Sequence, residues 1–341
     1  MERRRITSYD VAKAAGVSQT TVSFVLNEVK EANISDETRQ RVLAAAEKLG
    51  YVPNAAAQAL GRGRTQTIGV VVTSLADPFV GSAVQTIEST AQEHGYTVVL
   101  ASSNDLPERE IAAAEMLESR RVDGVIVTSS RVGTLYQERL DRLSVPVVLI
   151  NSVVQPSARF TSSLRVDNHH GGYLATHHLL QRGHRRIGYL SAPSDRGDSM
   201  ERLAGYRDAL QEAGLPFQPA LVVGGTGRAG GGERAWPMFR AIQDRPTAVF
   251  CYNDMTAIGL MHAARQAGLS LPGDLAVVGF DDIFFARYVH PALTTIAQPI
   301  AELGRQAVET VLALLADGDA DRLPADDTTI RGRLIVRASS G

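Results

Sequence analysis

The sequence predicts two kinds of structure in one chain: an all-α helix-turn-helix head over residues 1–50 and an α/β body over residues 67–341. Two observations carry this prediction. The stretch YDVAKAAGVSQTTVSFVLN, residues 9–27, has the pattern of two short helices joined by a tight turn. From residue 67 onward, continuous apolar runs alternate with helical segments, which is typical of parallel sheets covered by helices on both faces.

The head begins with a helix that Thr7 can cap, because Asp10 is placed to complete a capping box. Gly16 ends this helix, since glycine readily adopts the positive φ of a sharp turn. Ser18 can cap a second helix whose inward positions are apolar. Ser35 and Gly50 then bound a third helix from about Asp36 to Leu49. The prediction is a small three-helix unit.

The outer face of the second helix is polar, whereas a helix buried in a core would be apolar there. It carries Gln19, Thr20, Thr21, Ser23 and Phe24. Short hydroxyl and amide side chains on such a helix suit hydrogen bonds to base edges and phosphates in the major groove. The alternative is a solvated helix in an all-α unit. Residues 1–64 contain 10 basic and 7 acidic residues, against 35 and 37 in the whole chain, which favours nucleic acid weakly.

The linker over residues 51–66, beginning YVPNAAAQALGRGR, can form a helix of only two turns. Such a helix is marginal alone in water, so we expect it to form only against DNA or a second copy of itself. Leu60 would then be a candidate wedge for a minor-groove base step. The alternative is a plain Ala/Gly linker.

The body contains eight strand-like runs and seven helical segments. The strand-like runs cover residues 67–73, 96–102, 122–128, 146–150, 186–191, 220–223, 247–252 and 275–280, and the helical segments cover 80–94, 108–120, 169–182, 200–213, 232–243, 254–267 and 299–316. So many strands predict two doubly wound lobes that face each other. We divide them as residues 67–162 with 297–324, and 163–296 with 325–341. Ligands of such folds bind at the carboxyl ends of the strands, in one cleft.

Several function classes are disfavoured by the sequence. The basic N-terminus leads into no apolar h-region and no run of 18 apolar residues occurs, so we expect neither secretion nor a membrane partner. The single cysteine, Cys251, lies in an apolar strand-like run. We expect a cytoplasmic, nucleoid-associated protein. Three motifs resemble functional sites but lack the partner residues that those sites need. They are the glycines of GGTGRAGG at residues 224–231, which resemble a dinucleotide-binding loop, the five histidines of residues 169–184, which resemble a metal site, and the pair Asp281–Asp282, which resembles a catalytic pair. We therefore expect no cofactor, no metal and no catalysis.

With these residues laid out, the chain resembles the LacI/GalR family of transcriptional regulators over nearly its whole length. The resemblance lies in DVAKAAGVSQTTVSFVLN, YVPNAAAQAL, VDNHHGGYLATHHLLQRGHRRIGYL, RLAGYRDAL, RPTAVFCYNDMTAIGL and VVGFDDIFFARYVHPALTTIAQP. It implies a homodimer on a pseudo-palindromic double-stranded operator, with a small-molecule effector between the lobes that sets operator affinity. It also implies repression.

The family's DNA contacts carry over by position. The resemblance assigns base reading to Gln19, Thr20 and Phe24, phosphate contacts to Ser18, Thr21, Ser23 and Asn27, and the minor groove to Asn54, Ala57, Gln58 and Leu60. Phe24 departs from the arginine or histidine often found there. Because a phenyl ring cannot donate to guanine, we expect apolar contact with a thymine methyl or no direct readout.

The resemblance also assigns the effector site, to Asp77, Phe79, Ser102, Ser129, Asn151, Arg202, Asn253 and Asp281. An arginine with carboxylate and amide partners suits a polyhydroxylated ligand, so a sugar or sugar derivative is the main hypothesis. Asn151 replaces an aspartate that is common in the family, which weakens the sugar hypothesis. Gly227 stands where a purine-type relative has an aromatic residue, which weakens the purine hypothesis.

Other functions stay open at this point. Within the family, the alternative is a purine-type repressor that needs a co-repressor. Outside it, a periplasmic sugar-binding protein would share the two lobes, but it would need a signal peptide and no DNA-binding head. A small-molecule binding protein without a DNA role and an NAD-dependent enzyme based on the glycine loop are the remaining possibilities.

Overall fold

A computed structural model describes residues 6–27, 32–52, 63–128, 138–152, 161–193, 197–317 and 327–341. The chain divides into two compact units, Met1–Thr67 and Ile68–Gly341. The first is the head and the second is the body, and each is described by itself below.

The head contains three helices: α1 (Ser8–Ala15), α2 (Gln19–Leu26) and α3 (Asp36–Leu49). Both bonds of the predicted capping box are present, since the Thr7 N–H donates to Asp10 Oδ2 at 2.9 Å and the Asp10 N–H to Thr7 Oγ1 at 3.4 Å. Gly16 has φ 67°, the left-handed conformation that the turn requires. The predicted three-helix head is confirmed, with an apolar core of Val11, Ala12, Ala15, Val22, Val25, Val42 and Ala46.

The first lobe of the body contains a six-stranded sheet in the order β11-β5-β4-β3-β1-β2. Its strands are β1 (Thr67–Val72), β2 (Thr97–Ser102), β3 (Gly124–Thr128), β4 (Val147–Ile150), β5 (Thr161–Val166) and β11 (Asp327–Ile330). Helices α4 (Pro78–Glu93), α5 (Pro107–Ser119) and, late in the chain, α10 (Ile300–Asp317) accompany it. Val311 of α10 lies directly against Gly124 of β3, so this late helix covers the first sheet.

The second lobe contains a six-stranded sheet in the order β12-β10-β9-β8-β6-β7. Its strands are β6 (Ile187–Ser191), β7 (Val222–Gly224), β8 (Ala248–Cys251), β9 (Ala276–Asp281), β10 (Thr294–Ala297) and β12 (Arg333–Ile335). Its helices are α6 (Asn168–Gln181), α7 (Gly197–Glu212), α8 (Ala229–Ala241) and α9 (Asp254–Gln266). All strand pairs from β7 to β10 are parallel, and β12 closes the edge in antiparallel pairing with β10.

The helices of the second lobe pack in two tight pairs. A Cβ on Gly205 of α7 would lie 1.9 Å from the His169 carbonyl oxygen of α6, and a Cβ on Gly232 of α8 would lie 2.0 Å from the Thr256 carbonyl oxygen of α9. No side chain fits at these crossings. The close approach fixes α6 against α7 and α8 against α9 within the second lobe.

The strands that sequence patterning predicted are present, but the predicted lobe boundaries are wrong. β5 continues the first sheet to Val166, so the chain leaves the first lobe after residue 166 and not at residue 162. β11 adds residues 327–330 to the first sheet, whereas the sequence pattern places residues 325–341 in the second lobe. Both strands are rich in serine and threonine, which hid them from a search for apolar runs.

Candidate DNA-binding surface and ligand cleft

The outer face of α2 is exposed as predicted. Gln19, Thr20 and Phe24 all lie on this face, and Phe24 keeps 39% of its surface accessible. The neighbouring hydroxyl groups are engaged locally: Ser18 Oγ accepts the Thr21 N–H at 3.0 Å and caps the helix. All three residues assigned to base reading are therefore exposed on the surface of the head.

The residues assigned to phosphate contact have structural roles of their own. Thr21 Oγ1 lies 2.9 Å from Ser18 Oγ, and Asn27 Nδ2 donates to Ser23 Oγ at 3.1 Å. These bonds order the hydroxyl and amide groups at the two ends of α2. The minor-groove residues Asn54, Ala57, Gln58 and Leu60 lie outside the described residues.

A cavity of about 240 Å³ lies between the two lobes of the body, at the carboxyl ends of their strands. Six of the eight predicted effector residues line it: Asp77, Phe79, Asn151, Arg202, Asn253 and Asp281. Ser129 lies outside the described part of the chain. Ser102 does not line the cavity; it ends the edge strand β2, and its hydroxyl donates to Asn104 Oδ1 at 3.3 Å.

Arg202 is the buried cation of the cavity, with only 3% of its surface exposed. Its Nε donates to Asn168 Oδ1 at 3.0 Å and its Nη1 to the Tyr252 carbonyl oxygen at 2.6 Å. The Phe280 ring centroid lies 3.6 Å from the guanidinium carbon, a cation–π contact. Burial opposes the charge, but Tyr252, Asp198 and Asp281 nearby raise the pKa of Arg202 above its ordinary value. The site therefore holds a permanent, rigidly placed positive charge.

Asp281 supplies the buried carboxyl group of the cavity. It ends β9 with φ 119°, a conformation that residues other than glycine rarely adopt and that indicates local backbone strain. Burial raises the pKa of Asp281 well above its ordinary value, the Arg202 charge opposes this, and the charges of Asp254 and Asp77 add to it. Gln298 Nε2 donates to Asp281 Oδ1 at 2.6 Å.

Asn151 connects this carboxyl group to the first lobe. Its Nδ2 donates to Gln298 Oε1 at 3.2 Å, and its Oδ1 accepts the Val166 N–H at 3.1 Å. Asn151 has φ 55°, which asparagine tolerates better than most residues. A chain of amides thus runs from the first lobe, through Asn151 and Gln298, to Asp281 in the second.

Two other predicted residues also act as helix caps. Asn253 Oδ1 accepts the Thr256 N–H at 2.9 Å at the start of α9, and its Nδ2 donates to the Gly227 carbonyl oxygen at 2.9 Å. Asp77 Oδ1 accepts the Phe79 N–H at 3.0 Å at the start of α4. Both helices therefore direct their N-termini toward the cavity, which favours ligand oxygens there.

Sequence reasoning missed several cavity residues, including Asp105, Asp198, Arg228, Tyr252 and Gln298. Tyr252 Oη donates to Asp198 Oδ2 at 2.5 Å within the second lobe. Arg228 Nη2 pairs with Asp105 Oδ2 at 2.7 Å and joins the two lobes at the cavity. The position of Tyr252 at the end of a predicted strand could have identified this residue.

The misleading motifs have structural explanations. The glycine loop after β7 lines the cavity through Thr226, Gly227 and Arg228, and a Cβ on its Gly225 would lie 2.5 Å from the Ser191 carbonyl oxygen. The histidines contact separate partners: Nε2 of His169 lies 2.8 Å from Asp208 Oδ2, and Nε2 of His178 lies 2.8 Å from Ser340 Oγ. Within the described ranges, no cluster of His, Cys, Asp or Glu side chains could hold a metal ion.

A head that presents an exposed polar helix, together with a two-lobed body enclosing a polar cavity, defines a ligand-responsive DNA-binding regulator. The model for "Bacterial regulatory proteins, lacI family" matches residues 7–54, and that for "Periplasmic binding protein-like domain" matches residues 176–340. The HTH-type transcriptional repressor PurR of Photobacterium profundum is 35% identical over 317 residues, which cover 93% of this chain and 94% of PurR. The chain belongs to the lacI family of bacterial regulatory proteins.

Two solved structures agree with this membership. The lac repressor dimer bound to operator and the anti-inducer ONPF is 30% identical and superimposes with a TM-score of 0.87, covering 99% of both chains. The complex of the transcriptional regulator CelR with cellobiose is also 30% identical, with a TM-score of 0.74, covering 98% of this chain and all of CelR. The predicted class and fold are confirmed: this is a DNA-binding transcriptional repressor, not an enzyme. No helix among the described residues is long and apolar enough to cross a membrane.

Proposed function

We propose that this repressor binds a pseudo-palindromic operator as a homodimer and that a sugar or sugar derivative in the interlobe cavity sets its operator affinity. The observation that carries the ligand class is the polar lining of the cavity. Arg202, Asn253 and Asp281 provide a cation, an amide and a carboxyl group within one small space. Because every sugar hydroxyl both donates and accepts a hydrogen bond, such a mixture matches a polyhydroxylated ligand.

The size of the cavity supports a small ligand. Its volume of about 240 Å³ lies just below the range of roughly 300–1,000 Å³ that is usual for small-molecule sites. Phe79 and Tyr252 supply apolar surface against which the carbon face of a sugar ring could pack. The relative CelR binds cellobiose, a sugar. A monosaccharide or its derivative therefore fits this cavity best.

One observation favours the second candidate, a purine-type co-repressor. The Tyr252 ring lies beside Gly227, where a Cβ would be 3.5 Å from its Cε1 atom. Gly227 has no side chain to stack on a base, but the Tyr252 ring lies close to the same position in the cavity. A planar base stacked on Tyr252 would be the ligand in that case.

An exposed aromatic cluster supports the homodimer. Phe284, Phe285 and Tyr288 keep 60%, 51% and 66% of their surfaces accessible and pack against one another, with the Phe284 and Tyr288 ring centroids 4.9 Å apart. Contiguous exposed apolar surface of this kind marks an interaction site. In the dimer, two α2 helices would enter successive major grooves, and Leu60 of each linker would insert at the operator centre.

Ligand binding would couple to DNA through the angle between the lobes. A ligand that contacts both lobes stabilises one angle, and operator DNA stabilises one spacing of the paired linkers. The two affinities are then coupled, and by equal factors in both directions. The repressor acts in the cytoplasm, at the nucleoid that carries its operator.

Two experiments test this function. Gel-shift selection from random near-palindromic duplexes should recover one sequence-specific site bound by a dimer; binding without sequence preference would contradict the operator role. A thermal-shift panel of D-galactose, D-ribose, cellobiose, hypoxanthine and guanine identifies the ligand class, because a bound ligand stabilises the folded chain by mass action. Stabilisation by the bases alone would replace the sugar hypothesis with the purine one.

A further inference from the structure

We propose that Glu201 and Asn168 are positioning residues that fix the orientation of Arg202 and connect it to Arg165 in the first lobe. This inference rests on the proposed ligand role of the cavity. Neither Glu201 nor Asn168 lines the cavity, so both act through Arg202. Arg165, Glu201, Asn168 and Arg202 form a row of four hydrogen-bonded side chains. Through this row, the angle between the lobes affects the orientation of Arg202 in the ligand site.

The row is continuous. Arg165 Nη2 donates to Glu201 Oε1, and Asn168 Nδ2 donates to Glu201 Oε2 at 3.1 Å. Arg202 Nε in turn donates to Asn168 Oδ1 at 3.0 Å. Asn168 and Arg202 are 4% and 3% exposed, so water does not compete for these two side chains.

The direction of the Asn168 amide is set by Glu201. An amide has one accepting oxygen and one donating nitrogen, and the carboxylate can only accept. The nitrogen must therefore face Glu201, which leaves the oxygen for the Arg202 Nε–H. Without the Glu201 carboxylate, no acceptor holds the Asn168 amide in this orientation. In the reversed orientation, the Asn168 NH₂ group would face the Arg202 Nε–H, so two donors would oppose each other. A misplaced guanidinium cannot keep its geometry toward a ligand.

The row crosses from one lobe to the other. Arg165 belongs to β5 of the first sheet, where it lies opposite Thr329 of β11, whereas Glu201 and Arg202 belong to α7 of the second lobe. The crossing lies next to the point where the chain passes from β5 into α6. A rotation of the lobes therefore acts on the Arg165–Glu201 contact and, through Asn168, on the direction of Arg202. By reciprocity, a ligand held by Arg202 favours one lobe angle.

The first experiment needs no ligand. The Nε–H signal of Arg202 is recorded by ¹⁵N–¹H correlation on the full-length chain and assigned by its loss in Arg202→Lys. A hydrogen-bonded Nε–H at a buried site exchanges slowly with solvent. We expect Glu201→Gln to accelerate this exchange by at least about tenfold, since a charge-assisted hydrogen bond contributes more than 1.4 kcal/mol. Glu212→Gln is the matched control on the same helix, where Glu212 Oε2 accepts from Tyr173 Oη at 2.6 Å.

A swap of donor and acceptor separates positioning from general stability. Asn168→Asp alone places two carboxylates against each other, and Glu201→Gln alone removes one acceptor. Together they restore the pattern with the same net charge: the new amide at 201 donates to the new carboxylate at 168, which accepts from Arg202 Nε. We expect the double variant to return the exchange rate to within about threefold of wild type.

The second readout is affinity. D-galactose, D-ribose and cellobiose are titrated separately into wild type and variants by calorimetry, and the Kd of any sugar that binds should rise by at least about tenfold in Glu201→Gln and recover in the double variant. The inference is overturned if Glu201→Gln matches Glu212→Gln in exchange rate, or if the double variant is no better than Glu201→Gln. If no sugar binds wild type, the proposed ligand class fails, and the exchange rates alone decide the positioning roles.

Discussion

Asp254 offers a direct test of how the body tolerates a charge in its core. The residue is the first of α9 and is fully buried, and its carboxylate accepts from Thr295 Oγ1 at 2.5 Å and from the Ile283 N–H at 2.9 Å. Burial raises the pKa of Asp254 from 3.8 to about 7, even though these two hydrogen bonds oppose the increase. The perturbation is Asp254→Asn, whose amide can still accept from Ile283 and can donate to the Thr295 hydroxyl.

The sign follows from proton linkage. Because its pKa is higher in the folded chain than in the unfolded chain, the folded chain binds the proton more tightly. The cost of burying the ionised carboxylate is absent below pH 3.8, grows as the pH rises toward 7, and is complete above 7. The difference between the pKa values of 3.8 and about 7 corresponds to a loss of at most about 4 kcal/mol in the free energy of unfolding. Asp254→Asn removes this cost, so the stability of the variant relative to wild type should rise with pH.

The assay is differential scanning calorimetry of full-length wild type and variant between pH 4.5 and 8. The part of this cost that develops between pH 4.5 and 7 is about 3.4 kcal/mol. For a domain of this size, 1 kcal/mol shifts the Tm by about 2–4 °C, so the Tm difference for the body should change by up to about 14 °C in favour of the variant. Asp274→Asn is the control, because Asp274 is exposed and its carboxylate accepts the Ser270 N–H at 2.7 Å at the surface of the body. A Tm difference that stays constant with pH would refute the reasoning.

Three further predictions concern the operator, the packing and the ligand. Thr20→Ala should weaken cognate operator binding by about 1–3 kcal/mol and relax specificity at one base pair, as measured by fluorescence anisotropy on single-substituted sites; an equal loss on every site would make Thr20 a phosphate contact. Gly205→Ala should lower stability by at least about 1–3 kcal/mol in urea unfolding, whereas Gly81→Ala, which meets open space, should be neutral or stabilising. Arg202→Lys should weaken sugar binding at least about tenfold by calorimetry, because a single ammonium cannot replace the guanidinium fork; unchanged affinity would remove Arg202 from the site.

The fold could be predicted where one physical signal dominates. Four strands are continuous apolar runs that are buried between helices: β1, β3, β8 and β9. Such runs can be recognised directly in a sequence. β10 could not be found in this way. Its Thr294 and Thr295 are completely buried because their hydroxyls donate to the Arg337 carbonyl oxygen and to Asp254. Those partners are remote in sequence, so local patterning does not reveal them.

The residues of the ligand site also fall into those that the sequence could predict and those that it could not. Arg202, Asn253 and Asp281 follow from motifs that the family resemblance carries, and the structure brings all three to one cavity. Gln298 was missed because it follows β10, a strand that the sequence did not reveal. The role of Asp105 was missed because its ion pair with Arg228 joins segments of two different lobes. Family motifs identified side chains within single segments, whereas contacts between lobes required coordinates.

The segment from Asp327 to Ile335 has a consequence for biosynthesis. It contributes the outer strand of both sheets, β11 beside β5 and β12 beside β10, within nine consecutive positions of the chain. Until the ribosome has delivered this segment, the backbone N–H and C=O groups along two strand edges have no neighbour, and such edges promote aggregation. Neither lobe can complete its sheet before the other, so a nascent or truncated chain lacking these residues has no finished lobe. Both sheets therefore reach their full width only after this late segment of the chain has been synthesised.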